Sequence, residues 1–160
     1  MNPSRPPLRS LDDALADLLG RAAPLGRTES VSTFEADGRV LAQDLVSALQ
    51  VPPQDNSSMD GYALRCADVA AAGASGLPVS QRIPAGSASQ PLQAGTVARI
   101  FTGAQIPPGA DVVVMQEQCT AVNDQRVRVD AVPLAGQWIR RRGEDIAVGS
   151  TVLTPGTLLT

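Results

Sequence analysis

Three short stretches of the chain concentrate side chains that can bind or transform a ligand. The first is residues 55–63 (DNSSMDGYA), where two carboxylates, two hydroxyls and an amide follow a Pro-Pro pair. The step from Asp60 to Gly61 is typical of a tight turn, and such a turn would project the Asp60 carboxylate from a rigid corner. Asx-turns that satisfy only the local backbone are the alternative interpretation of the same residues.

The second stretch is residues 99–104 (RIFTGA), where a predicted strand ends in a Thr-Gly pair. Strand ends of this kind leave a hydroxyl and backbone N–H groups exposed, and a nest of such N–H groups can hold an oxyanion. Ordinary strand termination is the alternative. Glu117, which closes the apolar segment 111–117 (DVVVMQE), is either an active carboxylate or the solvent-facing end of a strand.

The third stretch is residues 140–146 (RRRGEDI), which joins three guanidinium groups to two carboxylates. Guanidinium groups bind phosphate or carboxylate through paired hydrogen bonds, and carboxylates supply the oxygen ligands that Mg²⁺ prefers. A surface cluster whose charges neutralise one another is the alternative. Each of the three stretches is weak evidence when it is taken alone.

The residue types that the chain lacks restrict its chemistry further. Its 160 residues include no histidine, and all 13 basic residues are arginine. This excludes a Ser/His/Asp triad, imidazole-bound metals, a P-loop lysine and Schiff-base chemistry. Cys66 and Cys119 lie far apart without CxxC spacing, so we expect reduced thiols and no zinc site. A net charge of −3 argues against binding to nucleic acid or to anionic membranes.

The sequence also lacks a recognisable targeting segment. No apolar run approaches the roughly 18–20 residues of a membrane span. The first residues (MNPSRPP) do not contain the apolar segment of a signal peptide. We therefore expect a cytoplasmic protein.

The elements that must position these residues follow from the hydrophobic pattern. Leucines at helical spacing after Ser10 predict a first helix. Ser32 and Glu35, at capping spacing, predict a second helix over residues 33–45. After the Pro-Pro pair the chain turns to β-branched segments separated by Gly and Pro, which predict an α+β fold. These segments are residues 97–102, 111–117, 126–132 and 151–153.

The order and wording of the three stretches carry more information than each stretch alone. They lie within PPQDNSSMDGYALR, IPAGSASQPLQAGTVARIFTGAQIPPGADVVVMQE and RRRGEDIAVGSTVLTPGTLLT. Together these segments resemble the molybdopterin molybdenumtransferases, the MoeA family. The segment EADGRVLAQDL is similar to the family's second helix, so the resemblance covers nearly the whole chain.

The resemblance implies an enzyme of molybdenum cofactor biosynthesis. Its reaction would insert molybdenum from molybdate into adenylated molybdopterin and release AMP, with Mg²⁺ assisting. The family forms elongated homodimers with the active site between subunits, and other proteins of cofactor assembly are potential partners.

The resemblance also implies functional positions in this chain, residue by residue. The implied catalytic residues are Asp60, Thr102 and Asp145. The implied substrate-binding residues are Ser57, Arg99, Gly103 and Arg142. Glu117 and Glu144 are candidate metal ligands.

The chain departs from the family in length. Family members are much longer, and this sequence has no counterpart of their α/β molybdopterin-binding domain or their small C-terminal β-domain. We therefore expect an N-terminal portion that is inactive alone, elongated and bipartite. Residues 1–53 and 136–160 would form a discontinuous dimerisation domain of helices and strands, and residues 54–135 an inserted β-rich lobe with mixed, coiled sheets. A non-enzymatic dimerisation or adaptor module of cofactor assembly is the alternative.

Overall fold

The structure is a computed structural model that describes residues 8–24 and 26–160. These residues are mostly β, with α-helices α1 (Leu11–Gly20) and α2 (Cys66–Ala72). Neither of these two helices is long and apolar enough to cross a membrane. The strands are β1 (Leu45–Val46), β2 (Asn56–Ser57), β3 (Gly61–Leu64), β4 (Leu77–Ile83), β5 (Val97–Ile100), β6 (Val112–Met115), β7 (Cys119–Asn123), β8 (Arg126–Val129), β9 (Ile139–Arg140) and β10 (Thr151–Leu153).

The described residues pack as two units, of which the first contains residues 8–24 and 26–42 together with Gly156–Thr160. Its helix α1 begins as predicted, because the Ser10 hydroxyl accepts a hydrogen bond from the Asp13 N–H at 3.1 Å. No residue of α1 is buried, and its leucines remain exposed. Backbone hydrogen bonds of 2.8 Å, from Gly38 N–H to Leu159 and from Leu159 N–H to Arg39, hold the rest of this unit together.

The predicted second helix over residues 33–45 is wrong. Ser32 and Glu35 are bonded to each other, with the Ser32 hydroxyl donating to the Glu35 carboxylate at 3.0 Å, but the Ser32 side chain does not cap a backbone N–H and only one 3₁₀ turn follows. Gly38 then adopts a φ of +73°, which a helix cannot accommodate. Beyond Gly38 the chain is extended, with Val40 bridged to Leu158. The expected α+β chain is therefore mostly β, with a single N-terminal helix in the described residues.

The second unit, Gln43–Pro155, contains a mixed six-stranded sheet in the order β6-β3-β5-β4-β8-β7. Neighbouring strands are antiparallel except β4 and β5, which are parallel. Gly61 is required in β3, because a Cβ there would lie 2.0 Å from the Val114 carbonyl oxygen. Short ribbons outside this sheet join β1 to β10 and β2 to β9.

Both faces of the six-stranded sheet carry a hydrophobic core. Side chains alternate along a strand, so that Ala63 and Leu64 of β3 enter opposite cores. The first core contains Ala63, Ile83, Leu92, Ala98, Ile100, Ala104, Val113 and Ile139. The second contains Leu64, Leu77, Val97, Val112, Val114 and Val127, with α2 packed against it. The four predicted β-branched segments all contain strands, namely β5, β6, β8 and β10.

Candidate functional site

The three polar stretches lie side by side in the second unit, and the short strand β2 is their centre. On one side β2 pairs with β9, with Asn56 opposite Arg140 and Ser57 opposite Ile139. On the other side, Gly103 N–H donates to the Ser57 carbonyl at 2.8 Å, and Ser57 N–H donates to the Ala104 carbonyl at 2.9 Å. We call this arrangement of residues 55–60, 102–106 and 138–145 the central strip.

Asp60 and Thr102 form the first contact between stretches. One carboxylate oxygen, Asp60 Oδ1, accepts hydrogen bonds from the Thr102 N–H and from the Thr102 hydroxyl, each at 2.8 Å. These two bonds, with a smaller contribution from the positive charge of Arg99, hold the pKa of Asp60 below its usual value. Asp60 is partly exposed, and no donor among the described residues is bonded to its second oxygen.

Asp55 forms the second contact, and sequence reasoning missed its role. Its Oδ1 accepts from the Arg142 N–H at 2.8 Å, and its Oδ2 accepts from the Arg141 guanidinium at 2.7 Å. The Arg142 N–H bond is the main cause of the lowered pKa of Asp55, and the Arg141 guanidinium adds to it. Partners more than 80 positions away leave no local signal in the sequence.

The third stretch is tied together largely by its own residues. Arg140 forms an ion pair with Asp145, and the Glu144 carboxylate accepts from the Arg141 N–H at 2.7 Å. Of the three arginines, Arg142 alone has a side chain with no hydrogen bond or ion pair to a described residue, and it is exposed. Arg142 is therefore the guanidinium of this stretch that is available to an external anion.

The remaining predicted site residues have different surroundings. Ser57 is buried, and its hydroxyl donates to the Met59 carbonyl at 2.6 Å, which shapes the loop before Asp60. Arg99 points along the sheet face, donating to the Gly61 carbonyl at 3.2 Å and to Gln116 Oε1 at 2.6 Å. The Gly103 N–H is used by Ser57 and therefore does not contribute to an open nest. Glu117 accepts from its neighbour Gln116 at 3.1 Å.

A cleft of about 400 Å³ borders the central strip. Its walls offer amide, hydroxyl and carboxylate groups, so it suits a polar ligand that both donates and accepts hydrogen bonds. The lining residues are Pro53, Gln54, Asp55, Asn56, Gly86, Ser87, Ala88, Gly103 and Gln105.

The described residues do not form a metal centre or an activated thiol. Residues 8–24 and 26–160 contain no group of three or more Cys, Asp or Glu side chains arranged to hold a metal ion. The expected Mg²⁺ is therefore not matched by a cluster of three or more such side chains among the described residues. Burial is the main cause that raises the pKa of both thiols, that of Cys119 to about 11, so neither thiol is a ready nucleophile.

The sequence of this chain matches a known protein family. Residues 9–160 match the model of the MoeA N-terminal region (domain I and II). The chain is 38% identical over 159 residues to the molybdopterin molybdenumtransferase of Haemophilus influenzae, covering 94% of this chain and 37% of that protein. It is 42% identical to the molybdopterin molybdenumtransferase of Synechococcus elongatus, covering 94% of this chain and 39% of that protein. The chain thus spans little more than a third of the length of these relatives.

A solved structure is similar to this chain in both fold and sequence. The crystal structure of a molybdopterin biosynthesis MoeA protein from Pyrococcus horikoshii matches with a TM-score of 0.78 and 36% sequence identity. The match covers 93% of this chain and 40% of that protein. Fold and sequence similarity therefore extend over nearly the whole chain together.

Proposed function

Because this chain belongs to the MoeA family, whose N-terminal region it matches, we propose that it is the N-terminal portion of a molybdopterin molybdenumtransferase. Names of its relatives support a role in molybdenum cofactor biosynthesis. The reaction we propose for the whole protein is insertion of molybdenum from molybdate into adenylated molybdopterin, with release of AMP. The portion contained in this chain would not carry out that reaction alone.

The bond between Thr102 and Asp60 is the observation that carries the proposal. It joins two of the three implied catalytic residues, which lie 42 positions apart in the sequence. The hydroxyl and the N–H of Thr102 both point at one oxygen of Asp60, which fixes the carboxylate in one orientation. The other oxygen then faces outward and can accept a hydrogen bond from a hydroxyl or amino group of the substrate.

Some of the other proposed residues would bind the substrate, and others would shape the loops beside the cleft. Arg142 would bind an oxyanion of the substrate, because its guanidinium is exposed and has no ion-pair partner among the described residues. Asp145 would take part in the reaction while its carboxylate stays paired with Arg140. Ser57 and Gly103 would shape the loops beside the cleft, through their bonds to Met59 and to each other. Arg99 would add positive charge beside Asp60.

Several expectations for the whole protein remain part of the proposal. They are Mg²⁺ as an assisting ion, a homodimer with the site between subunits, other cofactor-assembly proteins as partners, and the cytoplasm as location. We assign no step of the proposed reaction to Mg²⁺. Glu117 and Glu144 remain proposed ligands, although both carboxylates already accept hydrogen bonds within their own segments.

A dimerisation or adaptor module without catalytic residues is the second candidate. The observation in its favour is helix α1, where Leu11, Leu15, Leu18 and Leu19 are all exposed. Apolar side chains repeated on one helix commonly mark a contact with another protein. On this alternative, changes at Asp60 or Thr102 would leave molybdenum insertion unaltered.

A chimera tests the proposed function. This chain would replace the matching N-terminal portion of the Haemophilus influenzae relative, and AMP release would be measured with adenylated molybdopterin and molybdate. We expect Asp60→Asn to reduce turnover by roughly 100-fold or more, the scale of losing one positioned polar group in an active site. Asp124→Asn, in the exposed turn between β7 and β8, is the matched control and should leave turnover unchanged. Full activity of the Asp60→Asn chimera would refute the proposal.

A further inference from the structure

Two arginines on one face of the six-stranded sheet share an aromatic ring. Arg99 of β5 lies opposite Tyr62 of β3 and opposite Arg82 of β4. The Arg82 guanidinium carbon lies 4.4 Å from the centre of the Phe101 ring, and that of Arg99 lies 4.8 Å from the same centre. Arg99 is also 5.1 Å from the centre of the Tyr62 ring. We call these four residues the cationic row.

The two guanidinium groups are not neutralised by carboxylates. Neither Arg82 nor Arg99 forms an ion pair with a described residue, whereas Arg65, Arg128 and Arg141 each pair with an aspartate. The hydrogen bonds of Arg99 go to neutral acceptors, the Gly61 carbonyl and the Gln116 side chain. The row therefore keeps two positive charges in a chain whose net charge is −3.

Three carboxylates in the region of Arg99 accept hydrogen bonds from groups outside the row. Asp60 accepts from Thr102, and Glu117 accepts from Gln116. The charges of Asp130 and Arg99 both affect the pKa of Cys119, and the Asp130 carboxylate accepts hydrogen bonds from Thr120 and Arg128. These carboxylates reduce the positive potential of the row without closing it to an external anion.

The geometry favours an anion that binds at the edge of the rings. A guanidinium stacked on an aromatic face keeps its N–H groups in its own plane, where they can bind oxygens in pairs. Stacking also limits side-chain motion, so less entropy is lost when a ligand binds. Since both cations contact one ring, they repel each other, and a bound anion would relieve that repulsion.

We propose that the cationic row is a binding site for a phosphate-type anion that carries at least two negative charges, with Arg82 and Arg99 as its donors and Phe101 as the ring that holds both. Two guanidinium groups match two negative charges better than the single charge of a carboxylate. The inference goes beyond the proposed function, which assigns no role to Arg82 or Phe101. It rests on the geometry and charge of the row alone.

Titration with pyrophosphate tests the site directly. The 160-residue chain would be titrated at constant ionic strength while the arginine side-chain N–H signals are followed by NMR. We expect saturable shifts of Arg82 and Arg99, and a loss of affinity of about fivefold or more in Arg82→Gln and in Arg99→Gln. Phe101→Leu leaves the charge unchanged and should also weaken binding, because the ring no longer orients the two cations.

Arg128→Gln is the matched control, since Arg128 lies in the same sheet but is paired with Asp130. It should bind pyrophosphate as the unaltered chain does. Shifts that never saturate, or an equal loss of affinity in Arg128→Gln, would overturn the proposal in favour of general surface charge. Tighter binding of a glutamate-rich peptide than of pyrophosphate would overturn the assigned ligand class. No molybdopterin is used, so the result does not depend on the proposed function.

Discussion

Two aspartates that lie on either side of β2 in the central strip, Asp55 and Asp60, are used in different ways. Both carboxylates accept a backbone N–H from a distant segment at 2.8 Å. The second donor to Asp55 is the charged guanidinium of Arg141, which engages its other oxygen at 2.7 Å. The second donor to Asp60 is the neutral hydroxyl of Thr102, and it contacts the same oxygen as the N–H does.

This difference separates a structural carboxylate from one that can act on a ligand. Both oxygens of Asp55 are occupied and its charge is compensated, so its role is to hold residues 141–142 against the β2 segment. Asp60 is oriented but keeps an oxygen without a donor from the described residues and a charge without an ion-pair partner among them. We infer that residue type and motif position alone do not identify which carboxylate is functional, whereas the donors do.

Removing the Asp55 carboxylate should have the largest effect on stability. Asp55→Ala leaves the Arg142 N–H and the Arg141 guanidinium without their acceptor. Because the side chain is 37% exposed, water replaces part of the loss, and we expect a decrease of about 1 kcal/mol in the free energy of unfolding. Urea unfolding of the 160-residue chain measures it. Asp124→Ala is the control, and a loss no larger than that of this variant would contradict a structural role for Asp55.

A second effect, on turnover and not on stability, is expected from the hydroxyl that orients Asp60. Thr102→Val keeps the shape and the N–H bond to Asp60 but removes the second donor, so turnover of the chimera should fall by roughly 10-fold. Thr102→Ser retains the hydroxyl and should recover most of the turnover. Equal activity of the Val and Ser variants would mean that the hydroxyl does not orient the carboxylate.

The smallest effect is the pH dependence of stability that Asp55 contributes. Its pKa is lower in the folded chain than in the unfolded one, where an aspartate titrates near about 3.9. The contribution is therefore complete above that value and is lost as the pH falls through the folded-state pKa. As the pH falls below about 3.9, the unaltered chain should therefore lose stability relative to Asp55→Asn. If the difference in the free energy of unfolding between the unaltered chain and Asp55→Asn stays constant as the pH falls, ionised Asp55 does not stabilise the fold.

Local sequence patterns predicted three strands of the six-stranded sheet, β5, β6 and β8, but not β3, β4 or β7. Segments 97–102, 111–117 and 126–132 are rich in β-branched residues, and each contains one strand of that sheet. The same patterns could not predict β2 and β9, which are two residues long and depend on pairing with segments that are distant in the sequence. The 3₁₀ turn ends at Glu35, and the positive φ of Gly38 is incompatible with a helix that continues to residue 45.

The sequence named candidate site residues but could not give the contacts between them. Asp60, Thr102 and Asp145 were named from the motifs of the family that the sequence resembles. That Thr102 donates twice to one oxygen of Asp60 depends on strands that bring positions 42 apart together. The role of Asp55 depends in the same way on donors at positions 141 and 142. Neither set of contacts can be predicted from residues that are neighbours in the sequence.

A paired measurement on Asp55→Asn and Asp60→Asn tests the division between the two carboxylates most directly. Each variant would be made in the chimera, and both the melting temperature and the rate of molybdenum insertion would be recorded. We predict that Asp60→Asn melts within about 2 °C of the unaltered chimera while insertion falls by roughly 100-fold or more. Asp55→Asn should melt at a lower temperature but keep insertion within about fivefold when measured well below its melting temperature. The opposite pattern, with Asp60→Asn unstable but active and Asp55→Asn stable but inactive, would contradict the account.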